Sequence, residues 1–156
     1  LQLPRSLTSA RRIRAVLEEQ PALATPADPV ADVADGSIDF ADVSFKYSAA
    51  AARDALSHVT LHIPAGATVG IIGGTGSGKS TLVNLVPNFY SATKGQVLID
   101  GVNADEYDRA ALLSAVSVVP QKAVLFEGTI RSNLLMGNPN ASEAVIDTLA
   151  QEQAEA

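Results

Sequence analysis

The stretch that decides the fold is TVGIIGGTGSGKST, at residues 68–81. Its first five residues form a short apolar run of the kind found in a buried central strand. Four glycines follow, and residues 79–86 contain neither glycine nor proline, which predicts a helix that Pro87 ends. A strand, a glycine-rich loop and a helix in this order predict an α/β core.

The glycine-rich loop matches the pattern G-x-x-x-x-G-K-[ST] at residues 73–80. Glycines let the backbone turn tightly, so that successive N–H groups can surround an anion. Lys79 is placed to reach the β- and γ-phosphates of a nucleotide, Ser80 to bind Mg²⁺ and Thr81 to donate to the α-phosphate. A turn without a ligand is the alternative, but the strand before the loop and the helix after it favour a binding site. The predicted ligand residues are Gly73, Gly74, Thr75, Gly76, Ser77, Gly78, Lys79, Ser80 and Thr81.

The composition of the 156-residue chain fits one folded domain and excludes several classes of protein. With 47% hydrophobic and 18% charged residues, the chain can form a core and is not typical of disordered proteins. A formal net charge of -6 argues against a nucleic-acid partner, which would favour a basic face. The absence of cysteine excludes disulfides and cysteine-bound zinc. No run approaches about 20 consecutive apolar residues, so the sequence predicts no membrane span.

Periodicity and capping residues predict the other elements of the chain. Strands are predicted where apolar and polar residues alternate or form a short apolar run, at residues 38–40, 43–47, 59–63, 96–99 and 116–119. Helices are predicted at residues 7–20, 109–115 and 129–135, and after Ser142. Asp108 is placed to cap the second of these helices. Prolines 21, 26 and 29 predict an extended linker at residues 21–35.

Five segments resemble the nucleotide-binding domains of ABC transporters, in particular the exporter type. They lie in the family's order between residues 38 and 137, at residues 43–47, 56–81, 95–101, 118–126 and 128–134. The resemblance implies an α/β fold, a P-loop NTPase core with an antiparallel β layer, preceded by a helix and a linker. It also implies three regions. Residues 1–20 would follow the last membrane helix of a longer parent, residues 21–37 would form a linker, and residues 38–156 would be the N-terminal part of the ATPase domain.

The resemblance also implies roles for residues outside the loop. Tyr47 is similar to the aromatic residue that stacks on adenine, with a tyrosine covering the sheet edge as the alternative. Gln121 is similar to the glutamine that contacts Mg²⁺ and the attacking water and acts with Lys79 in catalysis; a turn-capping amide is the alternative. Residues 126–134 resemble the surface that receives the membrane domain's coupling helix, although ordinary core packing would also explain their apolar side chains.

The second half of such a domain is missing from the sequence. The Leu-Ser-Gly-Gly-Gln-like signature does not occur, nor does an apolar strand that ends in Asp-Glu. Asp100 ends an apolar strand, but Gly101 follows it, and we therefore predict that Asp100 is a turn residue. His58 and His62 precede the loop, so neither matches the family's switch histidine, and both are interpreted as strand-surface residues. A C-terminal truncation would explain all these absences together.

The resemblance implies that the parent protein lies in the cell membrane with its ATPase domain on the cytoplasmic face. Its implied cofactors are ATP and Mg²⁺. Its implied partners are the membrane domain of the same parent and a second nucleotide-binding domain, in a homo- or heterodimer. We expect the present chain to bind ATP but not to hydrolyse it, because the glutamate that serves as general base is absent.

Three other functions compete with this interpretation. A small P-loop kinase or GTPase is disfavoured because the Asn-Lys-x-Asp guanine-binding motif is absent and antiparallel strands precede the loop. A soluble, non-hydrolysing regulatory module that binds nucleotide is the second. An ABC ATPase of another branch, of the importer or repair type, is the third, and residues 126–134 disfavour it.

Overall fold

The structure, a computed structural model, describes residues 3–18, 23, 25–122 and 124–154. It divides into two compact units, Leu1–Val118 and Val119–Ala156, each of which is considered by itself. The first unit contains helix α1 (Leu3–Leu17), strands β1 (Ile38–Phe45) and β2 (Leu56–Ile63), helix α2 (Lys79–Leu85), strands β3 (Lys94–Ile99) and β4 (Val102–Asn103), a 3-10 turn (Ala104–Glu106) and helix α3 (Arg109–Ala115). The second unit contains helices α4 (Ile130–Leu135) and α5 (Glu143–Ala154).

The described strands form one antiparallel sheet in the order β2-β1-β3-β4. Strand β1 lies in the middle, and its Ile38 pairs with Ile63 of β2 on one side and with Ile99 of β3 on the other. A bulge in β1 interrupts its pairing with β2 after Phe40 and its pairing with β3 after Ala41. Asp42, which lies at this bulge, has a left-handed φ of 52°. The predicted antiparallel layer is therefore confirmed.

One hydrophobic core holds the first unit together. Strand β1 contributes Val43, strand β3 contributes Ile99, and helices α2 and α3 contribute Leu85 and Leu112; these four are the largest side chains that are fully buried. The other buried members of this cluster are Phe40, Phe45, Leu56, Val97, Ala104 and Tyr107. Because α2 inserts Leu85 into the same core as β1, the residues that precede α2 are fixed relative to the sheet.

Strand β3 approaches the backbone of β1 closely at Gly95. Its φ is +74°, and a Cβ atom there would lie 2.4 Å from the carbonyl oxygens of both Ala41 and Asp42. Only glycine combines this backbone conformation with so little space. The bulge in β1 and the glycine in β3 therefore form one matched feature.

Two predicted strands are wrong. Neither residues 68–72 nor residues 116–119 form a strand, and Ile72 and Val119 are 100% and 94% exposed. The apolar residues of both segments are typical of a buried strand. A β-strand forms, however, only when a neighbouring strand pairs with its backbone N–H and C=O groups. Among the described residues, neither segment has such a neighbour, since the only sheet is the antiparallel one.

The helix predictions hold where a capping residue marks the start. Helix α3 has the predicted bounds, and Asp108 accepts a hydrogen bond from the backbone N–H of Ala111 at 2.9 Å. Helix α4 starts with a capping box, in which Thr129 and Ser132 each accept from the other's backbone N–H. Helix α1 starts four residues before the predicted position 7. The last two residues of that predicted helix, 19 and 20, lie outside the described residues.

The linker is attached to the first unit at two places. Val30 forms a parallel bridge with Tyr107, and the backbone N–H groups of residues 34–37 all donate to the carboxylate of Asp100, at 2.8–3.1 Å. Asp100 lies in the turn between β3 and β4, with a left-handed φ of 51°, so its prediction as a turn residue is confirmed. Burial acts to raise the pKa of Asp100, but the four N–H groups lower it, and its pKa lies below the usual value.

We expect Asp100→Asn to destabilise the first unit by about 1–3 kcal/mol at pH 7, because an amide cannot accept four hydrogen bonds. A lowered folded-state pKa gives stability that is complete above the unfolded pKa of about 3.9 and is lost as the pH falls through the folded value. The difference between wild type and variant should therefore shrink below about pH 4. Denaturant unfolding from pH 7 to pH 3 measures this, with Asp32→Asn, at an exposed carboxyl group, as the control. A difference that is constant with pH would contradict the prediction.

Candidate functional site

The glycine-rich loop folds around the side chain of Lys79. The Lys79 ammonium donates to the carbonyl oxygens of Gly73 and Gly74, at 2.8 and 2.7 Å, and lies 3.5 Å from the Ser77 hydroxyl. In the described part of the chain, no carboxylate pairs with this ammonium. The loop therefore holds a positive charge that only neutral oxygens contact.

Gly78 brings the loop against the start of β2. Its φ is +89°, and a Cβ atom there would lie 2.7 Å from the carbonyl oxygen of Ala55 and 2.8 Å from Cδ2 of Leu56. A larger residue would have to displace backbone. The glycine of the pattern is thus required by packing against the sheet as well as by the conformation of the turn.

A cleft of about 280 Å³ lies beside the loop. It brings together seven of the predicted site residues and Ala55; the lining consists of Tyr47, Ala55, Gly76, Ser77, Gly78, Lys79, Ser80 and Thr81. Lys79, which lines the cleft, donates hydrogen bonds from its ammonium to the carbonyl oxygens of Gly73 and Gly74. The first unit also has a larger cleft of about 530 Å³, which is lined by linker residues and by residues 88–90, 105 and 107–109 and which contains none of the loop residues.

Tyr47 is held next to the loop by a hydroxyl group and two aromatic rings of the first unit. Its hydroxyl lies 2.9 Å from the hydroxyl of Thr81, a residue that is only 6% exposed. Its ring meets the rings of Phe45 and Tyr90 nearly at right angles, at centroid distances of 4.9 and 5.3 Å. Tyr47 itself remains 57% exposed, so a planar group could still reach it.

The sequence did not predict the residues that hold Tyr47 in place, which are Phe45, Thr81 and Tyr90. Phe45 precedes Tyr47 by two residues, and this spacing places both side chains on one face of an extended chain. That signal was available. Tyr90 and the hydroxyl of Thr81 carry no comparable signal, because both come to Tyr47 only through the packing of α2 and the segment after it against the sheet.

The loop also fits a metal ion that arrives with a nucleotide. Mg²⁺ keeps several waters and is usually held by one or two protein groups together with substrate phosphates. Ser80, the second residue of α2, provides an exposed hydroxyl at the cleft. Among the described residues, no group of three or more histidine, aspartate or glutamate side chains could hold a metal. A single hydroxyl beside a phosphate-binding loop is consistent with Mg²⁺ bound to a nucleotide.

The second unit exposes a cluster of apolar side chains. Leu125, Phe126 and Ile130 are 81%, 57% and 78% exposed, and they line a cleft of about 560 Å³ with neighbouring residues. The side chain of Asn133 accepts from the backbone N–H of Phe126 at 2.7 Å and donates to its carbonyl oxygen at 3.0 Å. This apolar cluster is therefore presented on an ordered turn rather than packed in a core.

Helices α4 and α5 of the second unit are joined by an ion pair between Arg131 and Glu143. The hydrogen bond from Arg131 lowers the pKa of the Glu143 carboxyl group. Gln121 belongs to this unit, where its side chain is exposed. Its contact with Mg²⁺ and water stays a prediction.

The site combines the glycine-rich loop, the Lys79 ammonium and a cleft that contains the Tyr47 ring. These features define the class of this protein as a P-loop nucleotide-binding domain. The family model described as ABC transporter matches residues 56–156. The chain belongs to the ABC transporter family.

Relatives of this chain are ABC proteins, and some of them are named as exporters. It is 38% identical over 151 residues to the ABC transporter ATP-binding protein YknV of Bacillus subtilis (strain 168), covering 96% of this chain and 25% of that protein. It is 34% identical over 154 residues to the ATP-dependent lipid A-core flippase of Desulfotalea psychrophila (strain LSv54 / DSM 12343), covering 96% of this chain and 26% of that protein. The chain thus spans about a quarter of the length of these relatives.

A solved structure shows the same fold. A bacterial Atm1-family ABC exporter with ATP bound matches with a TM-score of 0.85 and 32% identity, over 97% of this chain and 26% of that one. The predicted fold class and the resemblance to exporters are confirmed. None of the described helices is both long enough and apolar enough to span a bilayer.

Proposed function

We propose that this chain is the ATP-binding part of an ABC exporter, which couples ATP binding and hydrolysis to the export of a substrate across a membrane. The observation that carries the proposal is the cleft in which Tyr47 meets residues 76–81 of the phosphate loop. A nucleotide has an aromatic base and a charged triphosphate, and this cleft offers a partner for each. The Atm1-family relative, whose structure has ATP bound, supports the choice of ATP.

Lys79 supplies the charge for triphosphate binding. Its present acceptors are the neutral carbonyl oxygens of Gly73 and Gly74. A hydrogen bond to a phosphate oxygen would pair two opposite charges, whereas the present bonds pair the ammonium with neutral dipoles, so the phosphate oxygen is the stronger acceptor. A bound triphosphate would therefore draw the ammonium away from the loop carbonyls, and the backbone N–H groups of residues 73–80 would complete its coordination.

Ser80 would hold the Mg²⁺ ion that accompanies the nucleotide. The ion would neutralise part of the charge on the phosphates during phosphoryl transfer. Ser80 would contribute its hydroxyl oxygen, and for Gln121 we propose the contact with Mg²⁺ and the attacking water that the family resemblance implies. Tyr47 stacks on the adenine, and Thr81 donates to the α-phosphate.

The exposed apolar cluster around Phe126 is proposed to receive the coupling helix of a membrane domain in the same parent. Leu125, Phe126 and Ile130 together expose more apolar surface than scattered single residues would. Helix α1 and the linker would join that membrane domain to the ATPase domain on the cytoplasmic face of the cell membrane. A second nucleotide-binding domain would face the phosphate loop and close over the nucleotide.

The chain itself should bind ATP without hydrolysing it, whereas the complete gene product should hydrolyse it. The reason is that the sequence contains no Asp-Glu pair at the end of an apolar strand, and hence no general base. Phosphate release from Mg-ATP measures both, with the 156-residue chain and the complete gene product at equal concentrations.

We expect background release from the chain and turnover by the complete product, which Lys79→Ala abolishes. Turnover by the chain that Lys79→Ala abolishes would contradict the assignment of the missing base. A complete product that binds ATP without turnover would instead favour a regulatory nucleotide-binding module.

A further inference from the structure

The hydroxyl of Thr81 lies where the part of the cleft next to Tyr47 meets the part next to the glycine-rich loop. Thr81 is the third residue of α2 and is 6% exposed, and its Oγ1 atom lies 2.9 Å from the phenol oxygen of Tyr47. Each hydroxyl has one proton to donate and two lone pairs to accept. The pair can therefore be oriented in either direction while no other partner is bound.

A bound phosphate would fix that direction. Phosphate oxygens beside Mg²⁺ only accept hydrogen bonds, so Thr81 must use its single proton for the phosphate. Tyr47 must then donate to Thr81. The result is a chain of hydrogen bonds from the phenol through the threonine hydroxyl to the anion, in which each bond polarises the next.

The position of the Tyr47 hydroxyl is itself well determined. The Tyr47 ring is restrained by the rings of Phe45 and Tyr90 in perpendicular contacts. Phe45 is buried, and Phe45 and Tyr90 also contact each other at a centroid distance of 5.4 Å. Three mutually contacting rings restrict the rotation of the exposed Tyr47 side chain, so the phenol oxygen stays within reach of Thr81.

We propose that Tyr47 is a positioning residue for the phosphate loop through its hydroxyl, in addition to being the platform for the base. It orients the Thr81 hydroxyl so that this group donates to a nucleotide phosphate, and it thereby joins base recognition to phosphate recognition. This proposal rests on the proposed ATP-binding function.

Without the phenol oxygen, the Thr81 hydroxyl would lose its partner. A threonine in a helix can then turn its proton to the backbone carbonyl of the preceding turn, where it no longer serves a ligand. Tyr47→Phe keeps the ring and removes only the hydroxyl. We expect this variant to bind nucleotide about three- to tenfold more weakly, the effect of one neutral hydrogen bond.

The test uses the complete gene product and two probes, Mg-ATP and Mg-tripolyphosphate, with affinities measured by calorimetry. Tyr47→Phe should weaken both probes by the same factor, because the hydroxyl acts on phosphate and not on the base. Thr81→Val should do the same, and the double variant should be no weaker than Thr81→Val alone. Tyr47→Leu, which also removes the ring, should weaken Mg-ATP more than Mg-tripolyphosphate.

Two controls separate positioning from a loss of folding. Thr81→Ser keeps the hydroxyl and should recover the affinity that Thr81→Val loses, and Tyr47→Phe should unfold in one cooperative transition whose midpoint falls by no more than the few degrees that one hydrogen bond contributes. Unchanged affinities for Tyr47→Phe, effects that multiply in the double variant, or an effect on Mg-ATP alone would each overturn the proposal. If Lys79→Ala weakens binding as expected while Tyr47→Phe changes nothing, only this proposal fails. If wild type binds neither probe, the proposed function fails with it.

Discussion

Lys79→Ala is expected to weaken Mg-ATP binding by about 10- to 100-fold. A hydrogen bond to a charged group contributes about 1.5–3 kcal/mol, and the ammonium is the only charge that the cleft residues offer to the triphosphate. Its present contacts are confined to its own loop, so its removal should leave the fold intact. Calorimetric titration of the complete gene product with Mg-ATP measures the effect.

The matched control is Lys94→Ala, which removes the same charge from an exposed position on β3. It should leave the affinity unchanged, because phosphate binding depends on where the ammonium lies rather than on net charge. Equal effects of the two substitutions would mean that Lys79 contributes only to the overall charge, and would contradict the proposed contact with phosphate.

Gly95→Ala is expected to destabilise the first unit by about 2–5 kcal/mol. The new Cβ would lie 2.4 Å from two backbone oxygens, which costs about 1–3 kcal/mol, and the left-handed φ of +74° adds about 1–2 kcal/mol. Domains of this size are stable by only about 5–15 kcal/mol. The free energy of unfolding, obtained from denaturant titration, should therefore fall sharply.

Gly66→Ala separates the two causes of this effect. Gly66 has a similar φ of +72°, but nothing lies within 4 Å of its added Cβ. It should lose only the conformational part, about 1–2 kcal/mol. Similar losses for both variants would show that β1 and β3 can separate at the bulge, and would contradict the tight approach at Gly95.

Local signals made the phosphate loop and helix α3 predictable. The loop pattern spans eight consecutive residues, and Asp108 caps α3 three residues before the amide that it accepts from. Residues 68–72 show the limit of local signals. Their apolar run is suited to a central strand, but strand formation depends on partners distant in sequence, and the described residues provide none.

Contacts between distant residues could not be predicted. The carboxylate of Asp100 accepts hydrogen bonds from four backbone N–H groups that lie 63–66 residues away in the sequence. No sequence pattern near either segment indicates this contact. The bond between Tyr47 and Thr81 spans 34 residues in the same way. The sequence predicts both residues to be nucleotide ligands, but only the fold shows that they contact each other.

The central claim is that the loop at residues 73–80 encloses the triphosphate of a nucleotide together with Mg²⁺. Calorimetric titration of the complete gene product with ATP, with Mg²⁺ and then with a chelator present, tests it most directly. We expect saturable binding at one site per chain that is tighter with Mg²⁺ and about 10- to 100-fold weaker in Lys79→Ala. A folded wild-type protein that releases no heat and displaces no fluorescent ATP analogue under either condition would contradict it.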